Sequence, residues 1–212
     1  MINKILIFLV AILTIGVGFY SYQKTTITSG NIDEQLKHAT YLYDHKSAIA
    51  NFELTDHNGN PFTPDSIRGT WTFWFFGFTH CPDICPITLG TLSASVNKLK
   101  TKHNIKDNIK IIFVSVDPQR DDVAALKTYV SAFSKDAIGA TAADDKLAPF
   151  LKNMGIIAVK QDNDGQLSDY LVDHSSSIFL IAPDTGISAY FGTPHEVDNI
   201  VDDFLTIRKF YK

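Results

Sequence analysis

The sequence predicts an α/β sandwich built on a mixed sheet, and three features carry that expectation. The aromatic run "TWTFWFFGF" (70–78) is too uniformly apolar for a strand with one wet face, so it reads as a central strand covered on both sides. A second apolar run, "IKIIFVSVD" (109–117), reads as another buried strand, with a helical pattern between the two. The chain then closes on two strands, "SIFLIAP" and "ISAYFG", and an amphipathic helix, "PHEVDNIVDDFLTIRKF".

The remaining elements follow from local signals. "FELTDHNGNPFT" offers two short strands around Asn58-Gly59, a pair of residues that hairpin turns prefer. Leu89, Leu92, Val96 and Leu99 recur at helical spacing, and Pro86 suits the first turn of that helix because its missing N–H is no loss there. After the strand ending at Asp117-Pro118, helices are expected from about Asp122 to Phe133 and around Asp145 to Met154, with Asp121 either a helix cap or part of the site. An extended "GIIAVK" and a polar excursion, "QDNDGQLSD", precede the last strands.

With 212 residues and 45% hydrophobic composition, the chain is long enough for one well-buried domain, expected over residues 51–212. The net charge of −4 comes with acids and bases interleaved, which argues against a nucleic-acid partner. Ile5 to Tyr20 carries no charge, with Lys4 before it. As a helix that run spans roughly 24 Å, against a hydrocarbon core of roughly 30 Å, and Ile2, Tyr20 and Tyr22 extend it into the interfaces. Gly16-Val17-Gly18, the nearest arrangement to a signal-peptidase site, lies inside the run, so residues 1–22 read as an uncleaved membrane anchor rather than a removed signal. Residues 23–50 are polar and weakly patterned and read as a tether. The expected location is a bacterial inner membrane, crossed once, with the domain facing the periplasm, where a cysteine pair can oxidise.

The chain has two cysteines, Cys81 and Cys85, placed where the aromatic strand gives way to a helix. Backbone N–H groups at a helix start favour thiolate, and a spacing of four brings both sulfurs to one side of a turn. Four chemistries fit. A structural disulfide would close so short a loop that it would remove little chain entropy. Thiol–disulfide exchange or peroxide reduction fits the order strand, cysteines, helix, although redox dithiols usually have two intervening residues and an acid such as Asp83 opposes thiolate formation. A soft metal site needs a further ligand. His80 adjoins Cys81 but, by strand alternation, should face away, whereas His174 in "DYLVDHSSSIFL" precedes a strand that can lie beside the cysteine-bearing one. An inert binding module is the fourth. The histidines at 38, 45, 57, 103 and 195 read as solvated.

Three blocks, "GFTHCPDICP", "VSVDPQRD" and "DYLVDHSS", together resemble the Sco/SenC family of membrane-tethered copper proteins that assemble cytochrome c oxidase. They occur in the family's order across most of Trp71 to Pro183 and follow a similar anchor. The resemblance implies a thioredoxin-like fold with added strands, including the N-terminal hairpin, and a copper site formed by Cys81, Cys85 and His174. It also makes Asp173, Asp117 and Asp83 candidates for supporting or docking roles, with a strand end or turn as the plainer reading of the last two. Asp122-Val123 departs from the Thr-Pro common in the family at that helix start. A peroxidase is disfavoured, because such sites show Thr-x-x-Cys and this chain has Thr79-His80-Cys81.

The function implied is a metallochaperone, not a turnover enzyme in the ordinary sense. It would handle Cu(I) and Cu(II) for the dinuclear copper centre of cytochrome c oxidase subunit II or for another exported copper protein. The alternative is a thiol–disulfide reductase acting on the cysteines of that subunit or of other exported proteins. Two thiolates suit Cu(I), and an imidazole serves Cu(II) as well.

Overall fold

The computed structural model describes residues 12–18, 32–42, 49, 51–161 and 171–211. The chain divides into two compact units, Met1–Gln35 and Leu36–Lys212. In the first, residues 12–18 are helical and exposed, and Ile32–Gln35 forms one further helical turn. Among the described residues no helix is long and apolar enough to cross a membrane. Most of the anchor expected over 1–22 lies outside the described residues, as does the polar excursion at 162–170.

The second unit is built on an eight-stranded mixed sheet. Its strands are β1 (Ala39–Tyr41), β2 (Leu54–Asp56), β3 (Pro61–Phe62), β4 (Trp71–Gly77), β5 (Ile109–Ser115), β6 (Ala137–Thr141), β9 (Ile178–Ile181) and β10 (Ile187–Phe191). They lie in the order β1-β10-β9-β4-β5-β6-β2-β3. β4, β5 and β6 run parallel, while β9 and β2 join antiparallel on either side. Two further strands, β7 (Ala158–Gln161) and β8 (Leu171–His174), form a separate antiparallel ribbon.

Every residue of β4 is buried, as its aromatic run demands, and its alternation divides the core. Trp71 and Phe73 meet Phe204 on one face, while Trp74 and Phe76 meet Phe150 on the other. Four helices cover the sheet: α1 (Ile84–Thr101), α2 (Val123–Ser131), α3 (Asp144–Asn153) and α4 (Val197–Phe210). α1 buries Leu89, Leu92, Val96 and Leu99, the stripe read from sequence. The expected hairpin is present as β2–β3, with Gly59 at φ 82° and the Asp56 carboxylate accepting from the Asn58 and Asn60 amides.

Three strands depart from the sequence reading, among them β8, which carries His174 where no strand was expected before "SIFLIAP". β1 lies within the stretch expected as tether and pairs antiparallel with β10. The buried Asp203 carboxylate of α4 holds it there, accepting from the backbone N–H groups of Lys37, His38 and Ala39 at 2.7–2.9 Å. β6, "AIGAT", carries only a weak strand signal because its side chains are small. Smallness is what its position needs: a Cβ on Gly139 would stand 3.1 Å from Leu126 of α2. The helix starting after Pro118 is capped by Asp122, whose carboxylate accepts from the Ala125 amide at 2.7 Å, which serves where the family's Thr-Pro is missing. Asp121 does not cap it and turns inward.

Candidate metal centre

β4 ends at Gly77, and the chain turns through Phe78, Thr79 and His80, with the Cys81 amide donating to the Phe78 carbonyl at 3.2 Å. Cys81 is partly exposed at this turn, while Cys85, in the first turn of α1, is buried at 0%. No disulfide joins them.

The Cys85 sulfur is seated by the end of β4. It would lie 2.6 Å from a Cβ built on Gly77, which itself would stand 2.9 Å from the Phe113 ring, so only glycine leaves room for the sulfur. Burial pushes the Cys85 thiol well above its usual range, and its hydrogen bond to Cys81 works in the same direction, against the opposing Phe78 N–H. For Cys85 the direction is therefore opposite to the activation expected of a helix start, because burial favours the neutral thiol. The Tyr129 hydroxyl is pushed up too, by burial and then by the neighbouring cysteines and Asp121.

Asp121, for which the sequence left a helix cap and a site role open, is the organiser of the cysteine turn. Its side chain is fully buried; one oxygen accepts from the Thr79 hydroxyl at 2.6 Å, and the other from the Thr79 amide at 2.8 Å and the Ser115 hydroxyl at 2.6 Å. A single carboxylate thereby ties the cysteine turn to the end of β5. The signal for it was the acid pair Asp121-Asp122 following "VSVDPQR", a pattern that does not say which acid turns inward.

The other candidates divide. Asp117 is buried and pairs with Arg120, whose guanidinium lies 5.6 Å from the Phe78 ring centre, so it buttresses the turn from beneath. Asp83 is exposed at the N-cap of α1 without a side-chain cap bond, consistent with the turn reading. Asp173 and His174 lie in β8, opposite Val159 and Ala158, and their side chains fall outside the described ones. Among the described residues, no three His, Cys, Asp or Glu side chains converge on a metal position.

His57 and His195 are not simply solvated. The His57 ring accepts from the Gly139 amide at 2.8 Å, and His195 sits 3.3 Å from the Thr88 hydroxyl, one turn beyond Cys85. Burial lowers both pKa values. His38 and His103 are exposed, and His45 lies outside the described residues.

The backbone relates the sulfur turn to β8. β9 begins at Ile178 opposite Phe75, near the end of β4 that leads to Cys81, so the β8–β9 connection that follows His174 reaches the sheet at the cysteine end. A buried and a part-exposed thiol in contact form a donor pair suited to a soft cation or to dithiol chemistry.

A mixed sheet with this strand order, and a cysteine pair at the junction of β4 and α1, define a thioredoxin-like dithiol protein. The SCO1/SenC family model matches residues 33–208, and the chain belongs to that family. It is 39% identical over 153 residues to "Protein SCO2 homolog, mitochondrial" of Mus musculus, covering 71% of this chain and 58% of that one. It is 35% identical over 169 residues to "Protein SCO1 homolog 1, mitochondrial" of Arabidopsis thaliana, covering 79% and 49%. A "Putative copper-binding protein" of Stutzerimonas stutzeri is 32% identical over 160 residues, covering 75% and 76%. The chain thus spans about half the length of the first two relatives.

Among solved structures, Arabidopsis thaliana ScoI with copper bound superposes with a TM-score of 0.73 at 33% identity, over 78% of this chain and 100% of that one. Yeast Sco1 with copper bound gives 0.72 at 32%, over 78% and 91%.

Proposed function

We propose that the chain is a copper metallochaperone whose site is made by Cys81, Cys85 and His174. The observation that carries this reading is the sulfur pair itself: Cys85 seated over Gly77 and in hydrogen-bonding contact with a more accessible Cys81. Such a pair offers two thiolates to one soft ion with little rearrangement. The entry of β9 beside β4 supports His174 as the third donor. The family, and the copper-bound state of the two solved relatives, support copper as the cargo.

With two thiolates and a neutral imidazole, the complex carries a formal charge of about −1 for Cu(I) and about 0 for Cu(II), so neither state leaves a large uncompensated charge near the buried sulfur. Asp173 is a candidate to orient the imidazole. The acceptor is cytochrome c oxidase subunit II or another exported copper protein. The uncharged Ile5–Tyr20 run supports a single-pass anchor over residues 1–22, holding the domain on the periplasmic face of a bacterial inner membrane.

The second reading is dithiol reduction of the acceptor's cysteines, favoured by two thiols in contact and not joined in a disulfide. The experiment pairs Cu(I) transfer from the loaded chain to an oxidase subunit II fragment with insulin reduction and peroxide consumption by the copper-free dithiol form. Copper transfer with negligible turnover in the latter two supports the chaperone. Fast thiol turnover without copper transfer supports the reductase.

A further inference from the structure

His80 departs from the sequence reading, because strand alternation stops at Gly77 and the residue lies on a turn. Its Nδ1 sits 3.0 Å from the Thr79 hydroxyl and 3.7 Å from the nearer Asp121 oxygen, so the hydroxyl stands between ring and carboxylate. The hydroxyl has one proton, and that proton is committed to Asp121 at 2.6 Å. Toward His80 the same oxygen can therefore only accept, which places a proton on Nδ1. In the neutral ring its partner Nε2 is then left with the lone pair. Nε2 has no hydrogen bond among the described residues, and the side chain is 59% exposed.

This is the device by which metal-binding imidazoles are usually held: one nitrogen donates into a buried acceptor, and the other is presented to the ion. Here the acceptor chain is Thr79–Asp121, and Asp121 is itself locked by Ser115. The presented nitrogen belongs to the residue next to Cys81, whose Cα is about 3.8 Å away along the chain, and Cys81 is the more accessible of the two sulfurs.

We propose that His80 is a transient copper ligand. Its Nε2 takes the incoming Cu(I) before the ion moves to Cys81 and Cys85, and holds it again on the way out. The step is ligand exchange: an Nε2–Cu(I) bond forms as a donor ligand leaves, then breaks as the Cys81 and Cys85 sulfurs bind, each ligating thiol giving its proton to solvent, with no change in oxidation state. Because His80 does not belong to the resting ligand set, it governs the rate of passage and not the equilibrium affinity. The inference rests on the chaperone reading above.

The test has two arms on the full chain. Long-range 15N–1H NMR of the copper-free dithiol protein should show His80 as the Nδ1–H tautomer, lost in Thr79→Val and retained in Thr79→Ser. Stopped-flow uptake of Cu(I) from its bicinchoninate complex should slow about tenfold in His80→Gln, with equilibrium affinity unchanged, and Thr79→Ser should keep the wild-type rate. An Nε2–H tautomer in the wild type, or an uptake rate indifferent to His80→Gln, overturns the proposal. A wild-type chain that binds no Cu(I) overturns the chaperone reading itself, a result distinct from either of these.

Discussion

The Cys85 sulfur and the Gly77 backbone are in a relationship that admits no other residue at position 77: a Cβ there would stand 2.6 Å from Sγ. Gly77→Ala therefore forces either the sulfur or the Phe113 ring to move. We predict a loss of about 1–3 kcal/mol of stability in the reduced, copper-free protein, measured by guanidinium unfolding, together with weaker Cu(I) binding. Cys85→Ala in the same background should recover part of the stability. Full additivity of the two substitutions would contradict direct contact.

Asp121 supplies the next expectation. Asp121→Ala removes the shared acceptor of the Thr79 amide, the Thr79 hydroxyl and the Ser115 hydroxyl, and should cost about 3 kcal/mol. The local readout is hydrogen exchange of the Thr79 amide, which should accelerate by more than global destabilisation explains. Unchanged protection at Thr79 would count against the carboxylate as the tie between the two loops.

Copper loading should release protons. Burial and the bond to Cys81 hold Cys85 as a thiol, so Cu(I) must displace at least that proton, and affinity should rise about tenfold per pH unit for each proton lost. Calorimetric titrations in two buffers of different ionisation enthalpy count the protons directly. A count of zero would mean that Cys85 is not a ligand or is already ionised.

Stability should also fall on mild acidification. Burial lowers the His195 pKa from its ordinary value of about 6.5, with the Phe191 carbonyl opposing, and His57 is lowered in the same sense. Below the ordinary value the unfolded chain takes up the proton more readily than the folded one. The contribution is thus complete above that value and is lost as pH falls through it toward the folded pKa. Unfolding midpoints from about pH 8 to about pH 5 should decline, and His195→Asn should flatten part of the decline. An identical slope in the variant would remove His195 from the account.

Much of this architecture was legible because hydrophobic pattern dictates it. β4, β5, α1 and the closing β9-β10-α4 all carry enough apolar residues, as short runs in the strands and at helical spacing in the helices, to be read locally. What was not legible depends on distant partners. β1 is three residues long and is held by Asp203, some 160 positions later, and β6 is shaped by the fit of Gly139 to α2. Of two adjacent aspartates, Asp122 caps the helix and Asp121 turns into the core, a choice made by Thr79 and Ser115 and not by local propensity. At the candidate site the cysteines were found from spacing alone. The inequality between them, one buried and one accessible, comes from packing against Gly77 and Phe113.

The central claim is that one imidazole completes the site begun by two sulfurs, and competition against a Cu(I) chelator tests it most directly. The reduced wild-type chain should take up one equivalent tightly, and His174→Ala should hold the ion at least about tenfold more weakly. Equal affinity in the two proteins would contradict the three-ligand site.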